Sequence, residues 1–542
     1  MKNKSKKKNS KIQIFMQDNS KKIIIILCLI LFLVLFYLFI NFNKYNTYYV
    51  IYKNMNDENY STKILKTTQK NIIKKLSKYD YVIIDEILDK KVYDNYDFRM
   101  LLRNKNYDYD IEINHKIISM DELIAVNAIN TNYYNFNYNE LNNYLTERKI
   151  SDAIDYLENI VVLSKKSYFL KDNKLIELVP GPLFKIVPSK TKINNLDEII
   201  NNAANRLVKM CKNNGKFDYG YYLLDGSNIS SYNALRHAGT IWSLILAYEQ
   251  FPDNEKKEII DKAIDYMIKY YVYYNQNNSE IAYIKNNEKL NIGGNGLALL
   301  VLSEYQKAFD SDKYYEVARK LADGILASQK ESGQILHKYN KNFELEKEFV
   351  ISYYDGEATF GLMKFYEITN DEKYFNAVKK AMNYFIDNNY EQYKDHWISY
   401  ALNEFIRYNH EKKYIEFMVK HYNEKNDNIS KFIPARVEAI MSIYDTYDYL
   451  SNLNIENETL EKLSRDKLLN SIELNLINLL RFYADEEILV YLKYSDLVSY
   501  GFYATNDNNR MRIDDIQHTL GALIHYKQLL DINKIVDSRG IK

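Results

Sequence analysis

Six residues of this chain have side chains suited to moving protons, and they lie far apart in the sequence: His237, Asp355, Glu357, Asp514, Asp515 and His518. Beside them stand groups suited to holding a polar ligand, namely Arg236, Asn295, Tyr354, Trp397, Arg436 and Arg512. Two carboxylates in unlike surroundings, one protonated and one ionised, are the acid and base of glycosidic bond cleavage. Asp355 or Glu357 facing Asp514 or Asp515 meets that requirement. A second division of labour neutralises a substrate carboxylate with Arg236 and removes the neighbouring proton with His237, Tyr354 or His518, which is epimerisation or elimination at a uronate. Each carboxylate also has a plainer reading, since Asp and Glu stabilise helix amino termini by capping and through the dipole. Cations are disfavoured at that end, so Arg236, Arg436 and Arg512 point to an acidic ligand. The alternative is structural pairing of Arg512 with Asp514 or Asp515, and of Arg436 with Glu438.

These residues meet only if the fold brings helix starts together, and the chain after 190 supplies the means. Ser311–Lys320 (SDKYYEVARK) matches Asp371–Lys380 (DEKYFNAVKK), with a weaker copy at Glu411–Phe417 (EKKYIEF). Each copy opens a helix with one apolar stripe, Tyr314, Val317, Leu321 and Ile325 in the first. A second kind of helix, richer in small and apolar residues, precedes each. The alternation predicts six buried helices starting near Arg236, Gly294, Gly356, His396, Arg436 and Asp514. Six amphipathic partners fall near 195–212, 254–274, 312–330, 371–388, 411–422 and 459–484. The buried starts are unevenly spaced, which disfavours a regular solenoid and favours an (α/α)6 toroid.

Over roughly 195–535 the chain resembles the six-hairpin toroid enzymes in architecture and hairpin texture. These are glycoside hydrolases, N-acylglucosamine 2-epimerase-like proteins and the carboxy-terminal domain of glucuronyl C5-epimerases. The resemblance implies a carbohydrate-active protein working on a polysaccharide or glycoconjugate, anionic if the arginines face the ligand. Glycoside hydrolysis is the first expectation, uronate epimerisation or elimination the second, and non-catalytic glycan binding or envelope assembly the third.

Composition bounds the rest. Gly is 15 and Pro 5 in 542 residues, where average usage gives roughly 38 and 27; a turn-dense all-β fold is excluded. Lys+Arg 73 against Asp+Glu 72 leaves no basic field for nucleic acid. The 53 tyrosines accompany heavy use of Asn, Lys and Ile, a compositional bias and not a ligand signal. Cys28 and Cys211 form no metal-binding pattern, so no metal or cofactor is expected, calcium on Asp514 and Asp515 being the one ion considered. Ile23–Ile40 is an unbroken apolar run, preceded by Lys2, Lys4, Lys6, Lys7, Lys8, Lys11, Lys21 and Lys22. That pattern predicts a basic cytoplasmic segment 1–22 and an uncleaved signal-anchor at 23–41 that holds the bulk of the chain outside the cell membrane. The expected order then runs through a tether at 42–75, a small α+β domain at 76–190 and the toroid at 191–535. Within 76–190, strands are expected at Tyr81–Ile84 and Tyr107–Ile113, a helix near 120–129, and a hairpin turning on Asp172-Asn173.

Overall fold

The computed structural model describes residues 46–538 and Leu31, apart from short stretches within that range, of which 423–431 is the longest. Segment 1–22 and, Leu31 apart, the expected span 23–41 lie outside the described residues. Among the described residues no helix is long and apolar enough to cross a membrane. The chain divides into two units, 1–178 and 179–542.

The first unit is built on an antiparallel sheet. Strands β1 (Asn46–Lys53), β2 (Ser61–Thr67), β3 (Tyr81–Asp94), β4 (Tyr109–Ile113), β5 (Lys116–Ser119), β6 (Asn159–Lys171) and β7 (Lys174–Glu177) are ordered β2-β1-β3-β6-β4-β5, with β7 on β6. Helices α1 (Gln69–Leu76), α2 (Asn95–Arg103), α3 (Met120–Ala125) and α4 (Tyr138–Glu147) accompany it. The expected strands, helix and hairpin are present. Ser119 and Glu122 close the capping box of α3, and Asp172 and Asn173 take the left-handed conformations of a two-residue hairpin turn. The tether at 42–75 is corrected from residue 46 on: β1 pairs with both β2 and β3, and Tyr48 and Val50 pack with Ile72, Leu76, Val82 and Ile84. Lys165, fully buried, puts its ammonium 2.6 Å from Asp85 and 3.4 Å from Asp121, and it also bonds Asp110. Only such a cluster lets an ammonium be buried.

In the second unit, among the described residues, twelve long helices alternate in two layers. The outer ones are α5 (Leu196–Lys209), α7 (Asn254–Tyr271), α9 (Tyr315–Ala327), α11 (Glu372–Asp387), α13 (Lys412–His421) and α15 (Arg465–Leu479). The inner ones are α6 (Ala234–Gln250), α8 (Ile292–Phe309), α10 (Ser352–Thr369), α12 (His396–Ile406), α14 (Pro434–Asn452) and α16 (Ile513–Ser538). Each inner helix packs on the next, and α16 packs on α6, so the inner layer closes into a ring. The sequence repeat has a physical cause. Tyr314, Tyr374 and Tyr414 are buried at the starts of α9, α11 and α13. Each hydroxyl donates to the preceding outer helix, at Asp265 (2.8 Å), Asp323 (3.2 Å) and Asn383 (2.9 Å). Each ring also packs edge-on against an inner-helix aromatic, Tyr305, Phe365 or Phe405. One residue type thus ties a hairpin to its neighbour and to the inner layer.

Glycine allows the inner helices to approach closely. A Cβ on Gly296 of α8 would lie 2.2 Å from the Glu357 carbonyl oxygen of α10, and one on Gly361 2.3 Å from the Gly296 oxygen. Beneath the helix starts the centre is filled by aromatics: Trp242 of α6 reaches Trp397 and Tyr400 of α12 and Phe360 of α10. Gly296→Ala should therefore lower stability by about 1–3 kcal/mol or more, the range for overpacking. Gly239→Ala, whose Cβ meets only the yielding Gln517 amide, should cost less. Urea denaturation of both variants checks this; equal midpoints would contradict the close crossing.

Candidate active site

The loops before the inner helices meet at one end of the ring, because every inner helix starts there. Closure of the ring is made by Gly220–Tyr222, which pairs antiparallel with Arg510–Arg512, and by the Ile513 N–H, which donates to the Tyr219 carbonyl at 2.9 Å. That junction assembles the first cluster. Arg236 Nε lies 3.1 Å from Asp514 Oδ2, and the Tyr219 hydroxyl donates to the same oxygen at 3.0 Å. The Arg236 guanidinium sits over the Tyr219 ring at 4.7 Å. Arg512 grips Asp515 through two parallel bonds of 3.0 and 2.8 Å. Arg512 is therefore a structural partner of Asp515, and Arg236 of Asp514; neither arginine offers an uncompensated charge. These bonds also leave Asp514 and Asp515 poor calcium ligands. Among the described residues nothing hydrogen-bonds to Asp514 Oδ1.

The second cluster joins α12, α14 and α16. His518 Nδ1 donates to Glu438 Oε2 at 2.8 Å, Tyr400 donates to Glu438 Oε1 at 3.2 Å, and His396 Nε2 stands 4.0 Å from Glu438 Oε2. The two imidazole rings are 5.2 Å apart. Glu438 is buried, while the His518 side chain keeps 21% of its surface exposed. Among the described residues His396 Nε2 has no hydrogen-bond partner. The surroundings drive the two imidazoles apart. Burial holds His396 well below the usual histidine range, helped by the neighbouring His518 and His421. Burial acts the same way on His518, but the Glu438 carboxylate outweighs it and raises the ring above its ordinary value. These three residues also carry ligand types that bind metals, with one ligand atom from each within 4.8 Å of the others. Trp397 is buried beneath, 4.7 Å from His396 and 6.1 Å from His518 between ring centres; it is a floor and not an exposed stacking platform.

Several expected site residues are turned elsewhere. His237 is fully buried, with Nε2 at 2.8 Å from the Ala263 carbonyl and Nδ1 on the Tyr232 hydroxyl. Burial pushes it down to about 4, and no ring nitrogen is left for a substrate. Asn295 is equally enclosed: its amide accepts from Ile284 N–H at 2.6 Å and donates to the Ala282 and Leu321 carbonyls, so it shapes a loop. Asp355 is buried against the Tyr390 hydroxyl at 3.2 Å and His337 Nε2 at 3.1 Å. Glu357 is buried with Oε2 pressed on Gly293; burial and the nearby Asp395 raise its carboxyl strongly. Tyr354 is half-buried, its ring 5.4 Å from that of His337.

A cavity of about 450 Å³ opens beside His396, between α12, α13, α14 and α15, and Arg436 lines it together with Lys394 and Lys467. Sequence reasoning missed Tyr219 as a site member and His337 as the partner of Asp355, and gave neither His396 nor Glu438 a catalytic role. Tyr219 is one tyrosine among 53, and His337 lies well before the helix it serves. His396 carried the signal of a helix start; Glu438 was visible only as a possible partner for Arg436.

No family model matches the chain, and no curated protein sequence does. Solved structures do. Cellobiose 2-epimerase from Bacillus thermoamylovorans B4167 is 14% identical, with 62% of this chain and 100% of that chain covered and a TM-score of 0.48. A sugar epimerase from a ruminal bacterium is 12% identical, covering 65% and 100%, TM-score 0.49. The GH76A alpha-1,6-mannanase of Salegentibacter sp. HEL1_6 is 14% identical, covering 62% and 99%, TM-score 0.44. These likenesses carry no chemistry across; the expected toroid is seen in the closed ring of alternating helices itself.

Asp395 gives a pH test of the buried end of the ring. Its Oδ1 caps α12 by accepting the Trp397 N–H at 2.9 Å, while burial pushes the carboxyl up to about 7. An acid raised from near 3.8 in the unfolded chain binds more protons when folded between these values. Its contribution to stability is therefore complete below pH ~4 and lost as pH rises to ~7. Asp395→Asn keeps the cap oxygen and cannot ionise. Relative to wild type it should gain on the order of 2–4 kcal/mol between pH 4 and pH 8. A stability difference that is flat across this range, measured by urea denaturation, would show Asp395 to be ionised throughout.

Proposed function

We propose that the second unit is a carbohydrate-active enzyme that moves protons at a sugar carbon next to a carbonyl or carboxylate, as an epimerase does. The observation that carries this reading is the pair of imidazoles at Glu438. One is held down by burial and suits a base; the other is raised by its carboxylate partner and suits an acid. In the proposed step His396 takes the C–H proton, and the electron pair delocalises into the adjacent carbonyl or carboxylate. His518 returns a proton to the carbon from its exposed edge, and the sugar keeps its atomic composition.

Glycoside hydrolysis is the second reading. It needs two carboxylates free to face a bond and a water. Asp515 is gripped by Arg512, and Asp355 by His337 and Tyr390, so the imidazole chemistry has the better support. The lysine-flanked apolar run at 23–40 leads us to propose further that this chemistry takes place outside a membrane to which the chain is anchored.

The test is isotope exchange. The full chain, incubated in D2O with uronate-containing and neutral oligosaccharides, should place deuterium on a ring or chain carbon. His518→Gln and His396→Asn should each lower exchange by about 10²–10⁴-fold, the range for a lost general acid or base, with the melt retained. New reducing ends without carbon-bound deuterium would overturn the proposal in favour of hydrolysis, and binding without either would leave a glycan-binding protein.

A further inference from the structure

The core of the first unit holds more carboxylate than one ammonium accounts for. Strand β6 pairs with β3 on one side and β4 on the other, with Asp85 of β3 opposite Ser167 and Asp110 of β4 opposite Leu163. Residues 163, 165 and 167 share one face of β6, because successive side chains alternate. Asp85 and Asp110 are therefore diagonal neighbours of Lys165, within reach of a long side chain. Lys165 Nζ lies 2.6 Å from Asp85 Oδ2, bonds Asp110 Oδ1, and reaches Ser119 Oγ at 3.2 Å and Asp121 Oδ2 at 3.4 Å. The side chains of Lys165, Asp85 and Asp110 are closed to solvent, and that of Asp121 nearly so.

One carboxylate balances one ammonium, yet three surround it. Among the described residues Asp110 Oδ2 and Asp121 Oδ1 are buried without a hydrogen-bond partner, a cost that a purely structural ion pair has no reason to carry. Burial raises the Asp110 carboxyl, Lys165 opposes the rise, and Asp85 and Asp121 add to it. The place for a proton on Asp110 is the unpartnered Oδ2, since Oδ1 accepts from Lys165 and from the Met120 N–H at 3.2 Å. Burial works against the charge on Lys165, and the carboxylates outweigh it, so the amine is freed only by handing its proton to one of them. Asp85 is placed for this: Ser167 Oγ donates to its Oδ1, which turns Oδ2 to Lys165. An amine, a carboxyl carbon beside it and a proton acceptor are thus held together in a space closed to solvent.

We propose that Lys165 and Asp110 condense into a side-chain amide that fastens β6 to β4. The Lys165 ammonium passes one proton to Asp85 Oδ2, and the freed amine attacks Cγ of the protonated Asp110 carboxyl. The N–C bond forms, the bond from Cγ to Oδ2 breaks, and Oδ2 leaves as water with its own proton and one from the nitrogen. Asp85 keeps the first proton, so an ammonium and a carboxylate become a neutral amide and a neutral acid. No oxidant, reductant or co-reactant is consumed. The product joins residues 55 apart in the chain and restrains the unfolded state as a disulfide does. It concerns the first unit alone and is independent of the proton-transfer chemistry proposed for the second.

Mass spectrometry of the denatured full chain tests this. The wild-type mass should fall below that of the sequence by one water. Its tryptic digest should contain a branched peptide that joins the segment of Lys165 to the segment of Asp110, with no cleavage after Lys165. Asp110→Ala should carry the full mass of its own sequence. Asp85→Asn, which retains an acceptor for Ser167 but cannot take the proton, should leave most of the chain unlinked. Should either variant fail to fold, the wild-type peptide map decides alone. A wild-type chain cut freely after Lys165, or a lost water with no branched peptide, overturns the proposal. A branch from Lys165 to Asp85 or Asp121 overturns the choice of Asp110, and full linkage in Asp85→Asn overturns the role given to Asp85.

Discussion

The return of the last inner helix to the first is the contact on which the mouth of the ring depends. Ile513 begins α16 with its N–H on the Tyr219 carbonyl, directly after Arg510–Arg512 has paired with Gly220–Tyr222. Nearly three hundred residues separate these strands, so their closure carries the loop entropy of the whole unit. Helix packing on both flanks of α16, against α6 and α14, offsets it. Once α16 is seated, Asp514 meets Arg236 on one side and His518 meets Glu438 on the other. Without that seating neither cluster exists, whatever the individual helices do.

The closed ring also explains why so many titratable groups at this end have shifted proton affinities. Helix starts need acceptors for their free N–H groups, and Asn233, Asn291 and Asp395 supply them as caps. In a ring whose centre is filled by Trp242, Phe360, Trp397 and Tyr400, such polar starts lie partly out of water. Burial pushes a carboxyl with few partners there upward, as it does Glu357 and Asp395. Burial pushes a histidine there downward, as it does His396, and at His518 the hydrogen-bonded Glu438 carboxylate outweighs it. One geometric device, polar helix starts over an aromatic plug, therefore generates both acids that hold protons and bases that refuse them.

Much of this was legible in the residues. The repeated Lys-Tyr at 313–314, 373–374 and 413–414 marked the outer helices because each tyrosine must be buried and each hydroxyl must find the preceding helix. Arg236 and Asp514 were identified from their place at helix starts, and they do meet. What could not be read was side-chain direction. His237 follows Arg236 by one residue, a turn of about 100° around the helix, which aims it at the Ala263 carbonyl of α7 and away from the mouth. Asn295 is turned to the Ala282 and Leu321 carbonyls and the Ile284 N–H instead. The pairing of Glu438 with His518, 80 residues apart, follows from ring closure alone. In the first unit, β1 and β2 were hidden because the Asn, Lys and Tyr residues around them read as a polar, weakly periodic segment until β3 is set beside them.

The central claim is that ring closure brings Glu438 and His518 into contact as a charged pair, and a double-mutant cycle measures that directly. Glu438→Gln, His518→Gln and the double variant would be compared with wild type by urea denaturation across pH 5–8. A histidine raised above its unfolded value of about 6.5 contributes stability that is complete below that pH and lost as pH rises through its folded value. The account predicts a coupling of about 1–3 kcal/mol at pH 5–6 that shrinks toward pH 8. Additive single variants at every pH would mean that the two side chains do not meet and that the ring does not close as described.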